Sequence, residues 1–194
     1  RPAIRGQLEG PISFGFNVLD RNDRPILFHD TIRPFMIEFL AKRANVQLKR
    51  LKEINGNAFL FIDEPGLQFL FSAMAGYGNV AAKGDMEVFF SLIERPRGVH
   101  LCGNPDWDFL LGLDLDVLSL DVYSNGEVFV AYGQSIRKFL EEGGIIVWGI
   151  VPTNFESFEK EDVDSLEKRL SQLWALLCVI SRLQIPFRLK QYSR

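Results

Sequence analysis

Short apolar runs alternate along this chain with longer segments whose apolar positions recur at helical spacing. The runs PISFGFNVL (11–19), NAFLFID (57–63), GVHLC (98–102), DVLSLDVY (116–123) and IIVWGIV (145–151) read as strands. Between them, residues 31–54 predict a helix with Thr31 as its cap and Gly56 as its stop, and shorter helices are predicted over 85–93, 105–113 and 126–142. A Gly/Ala-rich stretch follows the second run, Arg95-Pro96 breaks the chain before the third, and a long helix is predicted over 161–182. The strand runs are apolar nearly throughout, as in a parallel sheet covered on both faces. Strands separated by helices argue for right-handed βαβ units and an α/β fold, either an open doubly wound sheet or a stretch of a (β/α)8 barrel. A complete barrel of about 250 residues exceeds this chain, whose 194 residues suit a single domain.

Polar residues at the strand ends bear on that choice. Asp63 and Glu64 follow the second run, His100 and Cys102 end the third, Asp121 ends the fourth, and Pro152, Thr153 and Asn154 follow the fifth. A barrel assembles its site from several such ends, whereas an open sheet gathers ligands mainly at one switch point. No Gly-rich phosphate loop follows any of the runs.

Composition narrows the classes further. Hydrophobic residues make up 47% and charged residues 24%, the balance of a globular protein. A net charge of −3 without a Lys/Arg-rich block leaves no electrostatic footprint for nucleic acid, and no apolar run is long enough to span a bilayer. Two cysteines do not make a disulfide framework, and the first ten residues hold no signal core, so a cytoplasmic protein is expected.

His100 and Cys102, two apart on a strand, share one face and could grip one ion, and an imidazole with a thiolate suits zinc. On spacing alone, a buried thiol beside a core imidazole is the simpler reading; the position at a strand end before Gly103-Asn104-Pro105 moves the balance toward a metal. Asp121 ends an otherwise apolar strand, where a buried acid needs a partner, and a helix cap or a salt bridge would supply one. Asp63 and Glu64 could act as acid and base or bind an ammonium group, or could cap the next turn. Cys178, at helical spacing, reads as core, His29 as a loop residue, and the strand aromatics Phe14, Phe16, Phe59, Phe61 and Trp148 mainly as packing.

Taken together, GPISF, FLFIDEPGL, VHLCGN, VLSLDVY and WGIVPT resemble the catalytic barrel of cobalamin-independent methionine synthase and the uroporphyrinogen decarboxylase-like group, from about Gly10 to Trp174. The resemblance implies a TIM barrel of which this chain holds roughly strands three to seven. It implies a zinc-dependent methyltransferase acting on a small thiol such as homocysteine or coenzyme M, with folate or a corrinoid as methyl donor and a corrinoid protein as a partner. His100 and Cys102 match the family's metal-binding pair, and Asp121 stands where the family usually has Glu. Asp63 matches the Asp that contacts the amino group of the thiol substrate. Asn17 falls near the place of a pterin-contacting Trp, and Trp148 and Thr153 lie in the stretch like WGIVPT, giving Asn17, Asp63, Trp148 and Thr153 as expected substrate contacts. The family's last ligand, a Cys on the final strand, has no match up to Arg194. Two other functions suit the same likeness: a metal-free decarboxylase-like lyase, and a non-catalytic or corrinoid-binding barrel.

Overall fold

In a computed structural model, which describes residues 3–70 and 77–182, the chain forms five strands and eight α-helices among the described residues. The order is β1 (Ile4–Glu9), α1 (Pro11–Asn17), α2 (Arg33–Ile54), β2 (Ala58–Asp63), α3 (Asn79–Leu92), β3 (Arg97–Leu101), α4 (Trp107–Leu111), β4 (Val117–Asp121), α5 (Val122–Ala131), α6 (Gly133–Glu141), β5 (Ile145–Gly149), α7 (Phe155–Phe158) and α8 (Val163–Ser181). Part of the Gly/Ala-rich stretch, and the chain after residue 182, lie outside the described residues.

All five strands are parallel and stand in sequence order, β1-β2-β3-β4-β5. A doubly wound sheet would reverse direction at a switch point, and this one does not. Right-handed crossovers that always step the same way put the helices on one face of the sheet. Ile62, Val99 and Leu118 are neighbours across three strands on that face, and none of them is exposed to solvent. The opposite face is only partly covered. Along β5 exposure alternates, with Ile145 58% and Val147 40% exposed, so the expectation of a sheet buried on both faces does not hold. The arrangement is an α/β fold with a parallel five-stranded sheet, compatible with part of a TIM-like barrel. No helix among the described residues is long and apolar enough to cross a membrane.

The first strand is not the one expected. PISFGFN is the helix α1, and β1 is the preceding IRGQLE. Pro11 begins the helix where its missing N–H costs nothing, and Ile12, Ser13 and Gly15 turn inward. A short apolar run is equally a buried helix or a buried strand by pattern, and here the tertiary partner decides. In β1, Ile4, Gly6 and Leu8 alternate with Arg5, Gln7 and Glu9, which puts polar side chains on the open face.

Other boundaries moved for local reasons. Thr31 does not cap α2, which begins at Arg33 with Ile32 at the cap position. β4 stops at Asp121 because the Asp121 carboxylate accepts a hydrogen bond from Ser124 N at 3.1 Å and starts α5 there. The helix expected over 126–142 is two helices broken at Tyr132. α8 opens with a reciprocal capping box between Asp162 and Ser165.

Gly98 sits on the open face beside Phe61. A Cβ built there would lie 2.7 Å from the Leu60 carbonyl oxygen and 2.8 Å from the Phe61 ring. Gly98→Ala is expected to lower stability by about 1–3 kcal/mol through overpacking; an unchanged urea midpoint would contradict this close packing.

Candidate functional site

The open face ends, at the carboxyl side of β2, β3 and β4, in a row of polar groups. Strand register puts Glu9, Asp63, His100 and Ser119 side by side. One residue past the Leu101–Leu120 pair, Cys102 comes level with Asp121. Because alternate residues share a face, Asp63, His100, Cys102, Ser119 and Asp121 gather on one side of the sheet.

His100 stands at the centre. Its Nε2 lies 3.1 Å from Cys102 Sγ and its Nδ1 lies 3.0 Å from Ser119 Oγ. The Phe61 ring is tilted against the imidazole, with centroids 6.2 Å apart, and meets the Phe59 ring edge-on on its own strand. Arg5 reaches over the Phe61 ring from β1. Gln7 Nε2 donates to both oxygens of Asp63 at 3.2 Å. At the rim, Asn17 Nδ2 donates to Glu9 Oε1 at 2.9 Å. Asn125 Nδ2 donates to the carbonyls of Cys102 and Asp121, at 3.1 and 3.3 Å, and ties the two turns together.

The electrostatics of Cys102 favour its neutral form. Cys102 is exposed, yet its partial desolvation raises the thiol pKa, and the charges of Asp121 and Asp63 push it further in the same direction. These carboxylates take hydrogen bonds from neutral donors, Ser124 N and Gln7. A thiol between carboxylates is a poor nucleophile by itself, but the same negative surroundings suit a cation.

His100 and Cys102 come close to the spacing that two zinc ligands require. Two ligands of one tetrahedral zinc, at about 2.05 Å for nitrogen and about 2.3 Å for sulfur, stand roughly 3.6 Å apart; the His100–Cys102 spacing of 3.1 Å is close to that. Among the described residues no three His, Cys, Asp or Glu side chains converge into a complete ligand set. Asp63 is the register partner of His100 and Asp121 comes level with Cys102, and the helix cap of Asp121 engages its Oδ1.

The remaining sequence candidates separate. Glu64 is fully buried and does not join the group on the open face. Its Oε1 accepts from Ile12 N at 3.0 Å, and its Oε2 accepts from Ser13 N at 2.8 Å and Ser13 Oγ at 2.7 Å, so it satisfies the first turn of α1. The acid–base role expected for it gives way to a structural one. Gly10 is required beside it, since a Cβ there would lie 2.2 Å from Glu64 Oε1. The Glu64 N–H also donates to the His100 carbonyl at 3.1 Å, and Gly10 N donates to the Asp63 carbonyl at 2.9 Å. One residue thus clamps the segments that bear Asp63 and His100.

Trp148 pairs in register with Leu120 on the helix-covered face and packs edge-on against Phe129 and Trp174. It is partly buried against the core on the helix-covered face, away from the open face that carries Asp63 and His100. Thr153 is exposed in the segment after β5. Asn17 does reach the rim, through Glu9. Ser119, Gln7 and Glu9 were absent from the sequence expectation. Ser119 had a signal, as the one polar residue inside β4, two positions before Asp121; Gln7 and Glu9 had none once IRGQLE was not read as a strand.

No family model matches the sequence, and no curated protein matches it.

Burial raises the Glu64 pKa from its ordinary 4.5 to about 7, against the three hydrogen bonds that favour the ionised form. The folded state therefore holds this proton to higher pH than the unfolded chain does. Its stabilising contribution is complete below about pH 4.5 and is lost as pH rises through about 7, a change on the order of 3 kcal/mol. Subtracting the urea-denaturation stability of Glu64→Gln from that of the wild type should leave a difference that falls across this window. A flat difference would show that Glu64 does not titrate there.

Proposed function

We propose that the open face carries a zinc-dependent methyltransferase site whose acceptor is a small thiol, homocysteine-like or coenzyme M-like, and whose methyl donor is a folate or a corrinoid. The observation that carries this reading is the His100–Cys102 pair, 3.1 Å apart, at the carboxyl end of β3 within a parallel sheet. This is the end of such a sheet at which barrel enzymes assemble their chemistry. His100 and Cys102 would hold the zinc, with Asp121 as third ligand. When bound, the metal supplies positive charge that lowers the pKa of a coordinated acceptor thiol, so that the reactive thiolate forms near neutral pH.

The chain's own residues do the rest. Asp63, held by Gln7, presents a carboxylate to the ammonium group of an amino-thiol. Phe61, packed against the His100 ring, would shield that side of the site from water. Asn17 and Glu9 offer polar contacts at the rim for a donor. Alignment of the donor with sulfur needs little more than such positioning, because methyl transfer is a direct displacement. A corrinoid donor would bring a corrinoid protein as partner.

Protein purified without a tag should contain close to one zinc per chain, and His100→Ala or Cys102→Ser should remove the metal and cut methyl transfer at least about 100-fold, the upper end of what changes around a metal site cost. Metal-free wild-type protein, or variants equal to it in metal content and activity, would falsify the reading. Asp63 allows a finer check. Asp63→Asn should raise KM for homocysteine about 10- to 100-fold by weakening a charge-assisted hydrogen bond, while KM for coenzyme M, which has no amino group, stays within about twofold. Equal effects on both thiols would remove Asp63 from ammonium recognition.

A further inference from the structure

We infer that Ser119 is a positioning residue that fixes the neutral His100 imidazole as its Nδ1–H tautomer and leaves the Nε2 lone pair facing Cys102. His100 and Ser119 are register partners on β3 and β4, so their side chains rise from the same face at the same level. The Nδ1 to Oγ distance is 3.0 Å, and Ser119 is only 7% exposed, which leaves water little chance to replace it.

A neutral imidazole has one donor and one acceptor nitrogen, and its two neighbours here differ in what they can do. A hydroxyl accepts well, whereas thiol sulfur is a weak acceptor that can donate its own proton. The best pairing is Nδ1–H to Ser119 Oγ together with Cys102 S–H to Nε2. Phe61, packed on the third side, offers the ring no competing hydrogen bond. Turning the ring over would exchange Nδ1 for carbon and forfeit the Ser119 bond.

The inference deepens the proposed function, since a nitrogen that binds a metal must be unprotonated and is usually oriented by a partner on the other ring nitrogen. It concerns the metal-free imidazole, however, and is tested without metal. The chain has two histidines, so His29→Gln leaves one imidazole to observe. The experiment is a long-range proton–nitrogen correlation spectrum of 15N-labelled, metal-free His29→Gln protein at about pH 8, above the ordinary imidazole pKa of about 6.5.

Nδ1 should give the protonated nitrogen shift and Nε2 the unprotonated one. Adding Ser119→Ala should shift the population toward Nε2–H, and Ser119→Thr, which keeps the hydroxyl, should restore the original pattern. A purely packing role for Ser119 would leave the tautomer unchanged in Ser119→Ala. That result, or Nε2–H in the parent protein, overturns the inference. With zinc alone as probe, Ser119→Ala should weaken binding about 10- to 100-fold and Ser119→Thr should largely recover it. The expected tautomer in a protein that takes up no zinc would sink the methyltransferase reading and leave the role of Ser119 standing.

Discussion

Strands laid side by side in sequence order, with every crossover turning the same way, constrain this molecule most. The helices then share one face, and the other face receives every second residue of each strand. On the covered side this selects Ile62, Val99, Leu118, Leu101 and Leu120. On the open side it selects Phe61 and Gly98 low in the sheet and Asp63, His100, Ser119 and Asp121 at its carboxyl edge. The candidate chemistry is therefore a consequence of strand parity, with loops adding Cys102 at the edge.

A second layer of constraint holds that edge in place. Glu64 is buried against the start of α1, and its backbone N–H reaches across to the carbonyl of His100. The unbonded donors of a short helix are satisfied by the residue next to Asp63, and the helix in turn packs against α2, α3 and the turn that follows β2. Asn125 does the same between the turns after β3 and β4. Such bonds keep polar side chains at fixed positions on a face that water reaches, which a site built on strand ends needs. Between these supports, a thiol, an imidazole and two carboxylates concentrate negative character where a cation is best accommodated.

Much of the plan was legible in the chain. The runs over 57–63, 98–102, 116–123 and 145–151 hold the strands β2 to β5, with ends shifted by one or two residues. The pairing of His100 with Cys102 followed from parity alone. The errors fall where a short segment has no preference of its own. PISFGFN became a helix because Glu64, 50 residues and more away, supplies acceptors for its first turn. IRGQLE became a strand because β2 offers it a ladder, although half of its side chains are polar. Trp148 packs against the core because its parity matches Leu120 and not Asp121.

What the sequence determined by itself is the α/β class, the strands β2 to β5 alternating with helices and the polar residues at their ends, since these depend on periodicity, breakers and residue type within a few positions. What only the tertiary structure decided is the sheet order, the face on which each side chain emerges, the structural duty of Glu64 and the contact between His100 and Ser119. Those depend on register between segments far apart in the chain, and register is set by packing and hydrogen bonds that no local pattern encodes.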